Sequence, residues 1–92
     1  MKAIQLSHRP NSIEFTNFNG ISEESLFNDV FIKLIENCNI EVSKKVTGPS
    51  EDIYKCSVEG SPFFLFYDMD YGVSITSSDP ETLKKLISLF ND

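Results

Sequence analysis

The chain has 92 residues, fourteen acidic side chains against eight basic ones, and a net charge of −6. That length sets one domain, residues 1–92, which buries only about 60–65 % of its unfolded surface. The acidic balance argues against nucleic acid, whose phosphates need a basic patch, and fits a basic protein partner or plain solubility.

In chain order, Ile4 and Leu6 alternate with polar neighbours over Lys2–Ser7. His8-Arg9-Pro10-Asn11-Ser12 has turn chemistry. Ile13 and Phe15 then alternate with Glu14 and Thr16, so Lys2–Ser7 and Ser12–Phe18 read as a hairpin. Asn19-Gly20 breaks that strand. Ser22 is a good N-cap, with Glu23 and Glu24 at the positive helix end and Ile21 and Leu26 spaced as a hydrophobic staple. Leu26, Phe27, Val30, Phe31, Leu34, Ile35 and Cys38 form a broad apolar stripe, which predicts a helix over Glu23–Asn37. Ile40, Val42 and Val46 suggest another strand, and Thr47 to Asp52 a polar loop.

Ile53–Thr76 reads as a three-stranded meander. Tyr54, Cys56 and Val58 share an apolar face, and Ile53, Lys55, Ser57 and Glu59 the opposite, mostly polar one. Gly60-Ser61 suits a two-residue type II′ turn, with Pro62 at the next strand's start. Phe63–Asp68 is apolar on both faces, which predicts a central strand. Asp68-Met69-Asp70-Tyr71-Gly72 makes a second turn, and Val73, Ile75 and Thr76 resume the alternation. Asp79 then caps a last helix with Pro80 at its first position and Leu83, Leu86, Ile87 and Phe90 as its buried stripe.

The order β-β-α-β-β-β-β-α with short connections predicts an α+β fold. It is a two-layer sandwich of an antiparallel sheet of five or six strands with two helices on one face. No apolar run reaches the roughly 20 residues that span a bilayer, and no signal peptide is evident, so a cytoplasmic protein with no membrane contact is expected. Cys38 and Cys56 lack metal or redox spacing and read as two buried free thiols.

Catalytic equipment is not visible in the residues. His8 is the one histidine and sits in a turn without a partner at catalytic spacing. Asp68-Met69-Asp70 begins like a calcium loop, but Gly72 takes the fifth position and Val73 and Ile75 resume a strand. No enzyme activity, metal or cofactor is therefore expected. If the helices cover one face of the sheet, either Phe63, Leu65 and Tyr67 or Phe64, Phe66 and Asp68 lie on the open one. Aromatic anchors with a charged rim are the composition of an interface.

The size, the acidity, the missing catalytic set, the stretch Glu59-Gly60-Ser61-Pro62-Phe63-Phe64-Leu65-Phe66-Tyr67-Asp68 and the short terminal helix resemble the small immunity proteins of bacterial toxin systems. The likeness is to those of contact-dependent growth inhibition in particular, and runs as a pattern from Ile13 to Phe90. It implies a stoichiometric antitoxin that occludes the active site of a cognate toxin domain, often a nuclease. On this reading the partner is a basic nuclease domain, met by carboxylates of Glu59, Asp68 and Asp70 and an aromatic anchor at Tyr67 or Tyr71. A second acidic group, Glu51-Asp52 with Glu41, and the exposed side of the first helix are the other candidate surfaces. The alternative function is a small adaptor or regulator that dimerises through the open sheet face.

Overall fold

Six strands and two helices form in the computed structural model, which describes residues 2–5, 7–16, 22–48, 51–68 and 72–91. They are β1 (Lys2–Ile4), β2 (Ser12–Thr16), α1 (Glu23–Ile35), β3 (Ile40–Thr47), β4 (Glu51–Val58), β5 (Ser61–Asp68), β6 (Gly72–Thr76) and α2 (Pro80–Asn91). Every neighbouring pair in the sheet is antiparallel, in the order β1-β2-β6-β5-β4-β3. Both helices pack on one face. Leu26, Phe27, Val30 and Leu34 of α1 and Leu83, Leu86 and Phe90 of α2 share a core with Ile13, Phe63, Leu65 and Ile75 of the sheet. The fold is thus the expected two-layer α+β sandwich, with β5 between β4 and β6.

Local chemistry explains where the elements start and stop. Ser22 Oγ accepts from the Ser25 amide at 3.1 Å and caps α1, while Asp79 accepts from the Glu81 amide and the Thr82 hydroxyl to cap α2. Helix α1 ends at Ile35, two residues short of the expected Asn37, and Cys38 lies exposed in the turn beyond it. Only Cys56 is a buried thiol, and burial pushes its pKa up to about 11. The buried stripe of α1 is also narrower than expected: Phe31 is half-buried and Ile35 is exposed. The proposed staple partner Ile21 and the end of β2 at Phe18 lie outside the described residues.

The β4–β5 turn differs from expectation by one residue. Glu59 (φ 50°) and Gly60 (φ 85°) both sit in the left-handed region, so the turn is of the I′ kind between the paired Val58 and Ser61. A Gly60-Ser61 turn would set Pro62 opposite Glu59 in the pair that closes the hairpin, where Pro62 has no N–H to give. In the observed register Pro62 pairs with Ser57, and its carbonyl accepts from Ser77 Oγ at 3.1 Å. Its ring nitrogen therefore faces the β6 side, where β6 has already ended at Thr76 opposite Phe64, and no ladder bond is lost.

Two further irregularities shape the sheet. The register between β3 and β4 shifts between Val42 and Lys44, which makes Ser43 an extra residue. The Ser43 hydroxyl donates to the Lys55 carbonyl at 3.0 Å. The shift turns the second half of β3 over: Val42 lies opposite the inward Cys56, but Val46 lies opposite the outward Ile53. At the outer edge of β1, the side-chain amide of Asn91 both accepts from the Ala3 amide and donates to the Ala3 carbonyl, each at 2.9 Å. This covers an edge that would otherwise present bare backbone groups.

Gly72 opens β6 at φ 82°, opposite Asp68. A Cβ there would stand 2.6 Å from a carboxylate oxygen of Glu23. That side chain can swing away, so the main cost of Gly72→Ala is the left-handed backbone, about 1–2 kcal/mol. In a domain this size the loss lowers Tm by roughly 5–15 °C, readable by thermal melting. An unchanged Tm would mean that Gly72 does not hold this conformation in solution.

Candidate functional site

The helices leave the second face of the sheet uncovered, and the ladder fixes which side chains it carries. Since Tyr54, Leu65 and Ile75 point into the core, Ile53, Phe64, Phe66, Ser74 and Thr76 point outward. One transverse row of this face reads Ile4, Glu14, Ser74, Phe66, Ile53, Val46 across all six strands. Its β3–β5 half is apolar. Val46 is 41 % exposed and Phe64, one pair along β5, is 38 % exposed. The Phe64 and Phe66 rings lie 6.5 Å apart at 49°.

Beside Phe66 the face dips into a concavity of about 430 Å³, lined by Arg9, Glu14, Glu51, Asp68, Gly72, Ser74 and Thr76. Three strands deliver its carboxylates: Glu14 from β2, Glu51 from β4 and Asp68 from β5. Glu51 and Asp68 are direct partners in the β4–β5 ladder. Arg9, from the connection between β1 and β2, meets Glu14 at 3.0 Å, and the buried Ser12 hydroxyl also reaches Glu14 Oε1 at 3.4 Å. The apolar strip thus ends in an acidic hollow.

Of the residues expected to bind a partner, the three that are described, Glu59, Tyr67 and Asp68, do not share one surface. Glu59 lies in the turn before β5 and pairs with Lys85 of α2 at 2.9 Å. The hydrogen bond to Glu59 raises the pKa of Lys85. Asp68 closes the far end of β5, roughly 23 Å from Ser61 at the usual rise per residue. Tyr67 faces the helix layer and stacks on Phe27, with ring centroids 4.8 Å apart at 14°. Asp70 and Tyr71 lie outside the described residues. The other acidic group separates as well. Glu51 lines the hollow, Asp52 pairs with Lys45 at 3.6 Å on the helix side, and Glu41 sits opposite Ser57 further along the sheet.

Sequence reasoning missed Arg9 and Glu14 at the hollow and Val46 and Ile53 in the strip. The ladder could have supplied part of this. A turn centred on Glu59-Gly60 sets Glu51 opposite Asp68 by counting alone. Val46 was hidden by the extra residue at Ser43. Among the described residues, no three His, Cys, Asp or Glu side chains are grouped to hold a metal ion, and no helix is long and apolar enough to cross a membrane. Comparison with protein families, with characterised proteins and with solved structures finds no match to this chain.

Proposed function

We propose that the protein is a cytoplasmic immunity protein that binds a basic nuclease toxin domain and occludes its active site, with no catalysis of its own. The observation that carries this reading is the uncovered sheet face, where the apolar strip Phe64, Phe66, Ile53, Val46 runs into a hollow of carboxylates. Apolar anchors beside charge have the composition of a protein interface. A nuclease site must hold phosphates and is cationic, so carboxylates can take the place of its substrate. Isologous self-association through the same face would bring together two copies that each carry a net charge of −6, which disfavours the homodimer alternative.

The test is co-purification and growth protection with the toxin domain encoded beside this protein. A one-to-one complex, association that slows as salt rises, and restored growth are expected. A protein that sediments as a dimer, ignores the neighbouring toxin and gives no protection would overturn the reading in favour of an adaptor.

A further inference from the structure

We infer that the β3 edge of the sheet is closed to strand addition by the extra residue Ser43 and the two lysines that follow it, so that the chain stays a monomer and meets any partner through a face. The sheet has two edges. At the β1 edge, Asn91 takes both backbone groups of Ala3. Beyond β3 no strand lies among the described residues, although the edge is eight residues long, Ile40–Thr47. A bare edge of that length is a template for another chain.

Hydrogen bonds at its two ends give the direction of its backbone groups. Before the extra residue, the Asn39 carbonyl accepts from the Glu59 amide at 2.9 Å, so Glu41 faces β4 while Ile40 and Val42 turn their N–H and C=O to the free side. After it, the Gly48 amide donates to the Glu51 carbonyl at 2.7 Å, so Val46 faces β4 while Lys45 and Thr47 turn outward. The step between outward residues is therefore three at Val42–Lys45 and two elsewhere. A regular strand, whose groups recur every second residue, can follow only one half of this edge and leaves the other bare. The Ser43 hydroxyl, bonded to the Lys55 carbonyl, holds the extra residue in place.

A second copy of this chain carries the same interruption. Antiparallel pairing about a two-fold axis has a register with favourable charge, in which Glu41 stands opposite Lys44 of the second copy. There Val42 would have to bond to Ser43, the interrupted position, so the extra residue closes this register. The register in which the two interruptions match sets Ile40 opposite Thr47 and Val42 opposite Lys45. It gathers Lys44 and Lys45 of both copies about the axis, beside Lys55, the ladder partner of Lys44. Like charges set together across strands are destabilising. Lys45 meets Asp52 at 3.6 Å and lies over the Tyr54 ring at 5.8 Å, so an added strand would also strip water from that charge. Ser43 thus removes the favourable register, and the lysines penalise the one that is left.

Sedimentation velocity and amide exchange test this. The unsubstituted protein should sediment as a monomer, with the Val42 and Lys45 amides exchanging freely and those of Glu41 and Val46 slowly. Deletion of Ser43 keeps the other β3–β4 pairs in register and restores the period of the edge. It should tighten self-association by at least about tenfold, with Val42 protected at the dimer axis. Lys44→Glu added to the deletion sets a carboxylate against Glu41 and should return the protein to a monomer. Lys44→Thr with Lys45→Thr keeps Ser43 and should dimerise in the other register, with Val42 and residue 45 both protected. This variant decides the matter if the deletion does not fold. An unsubstituted protein that dimerises with Val42 and Lys45 protected would overturn the inference. So would folded variants that all remain monomers, or a dimer of the deletion variant in which Val42 still exchanges freely.

Discussion

Leu34→Asp should abolish cooperative unfolding, while Ile35→Asp, one residue on, should leave it nearly intact. Leu34 is fully buried between α1 and the sheet. The substitution removes a leucine from the core, worth about 2–5 kcal/mol, and strands a carboxylate there without a partner. The sum approaches the whole stability of a small domain, about 5–15 kcal/mol. Ile35 is 54 % exposed. Its replacement by aspartate costs about 1 kcal/mol at most, part of it from a negative charge near the helix C-terminus. Urea titration followed by circular dichroism reads both. A sharp transition in Leu34→Asp near that of the unsubstituted protein would place the core on another face of α1.

On the proposed immunity function, the second large effect is on partner binding. Glu51→Lys combined with Asp68→Lys reverses two of the three carboxylates of the hollow and should cancel growth protection. Association with a cationic surface should slow by roughly 10–100-fold, with most of its salt dependence lost. Glu59→Lys is the matched control. It breaks the exposed Glu59–Lys85 pair at the other end of β5, away from the hollow, so protection and association rate should both persist. The measurements are stopped-flow association and colony growth, with melting curves to establish that each variant is folded. Loss of protection in Glu59→Lys alone would move the binding surface to the turn between β4 and β5.

The elements were legible because their periodicities are clean. Ser22 and Asp79 mark helix starts, and Tyr54, Cys56 and Val58 mark an inward strand face. The width of the α1 stripe was legible too, but only through its angles. At about 100° per residue, Ile35 lies about 180° around the helix from Leu26, so one sheet cannot bury both. The separation of Glu59 from Asp68 follows from the length of β5, whose two ends stand roughly 23 Å apart. Val46 was not legible. Its outward direction depends on one extra residue at Ser43, and alternation by itself puts Val46 on the same side as Ile40 and Val42. Nor was the hollow legible, since Arg9 and Glu14 reach it only through the pairing of β2 with β6, sixty positions away in the chain.

That distant pairing also sets a timetable. The β3–β6 meander closes through short turns, and α2 follows it directly. The β1–β2 hairpin is synthesised well before β6, yet it can join the sheet only after β6 has emerged. Closing so long a loop makes docking of the hairpin a late, slow event compared with zipping the meander. The clamp of Asn91 on Ala3 comes later still, because it joins residues 88 apart and needs the last turn of α2. During synthesis the flank of β2 that will meet β6 stands bare for most of the chain's length, and a nascent chain is most exposed to wrong strand pairing in that interval.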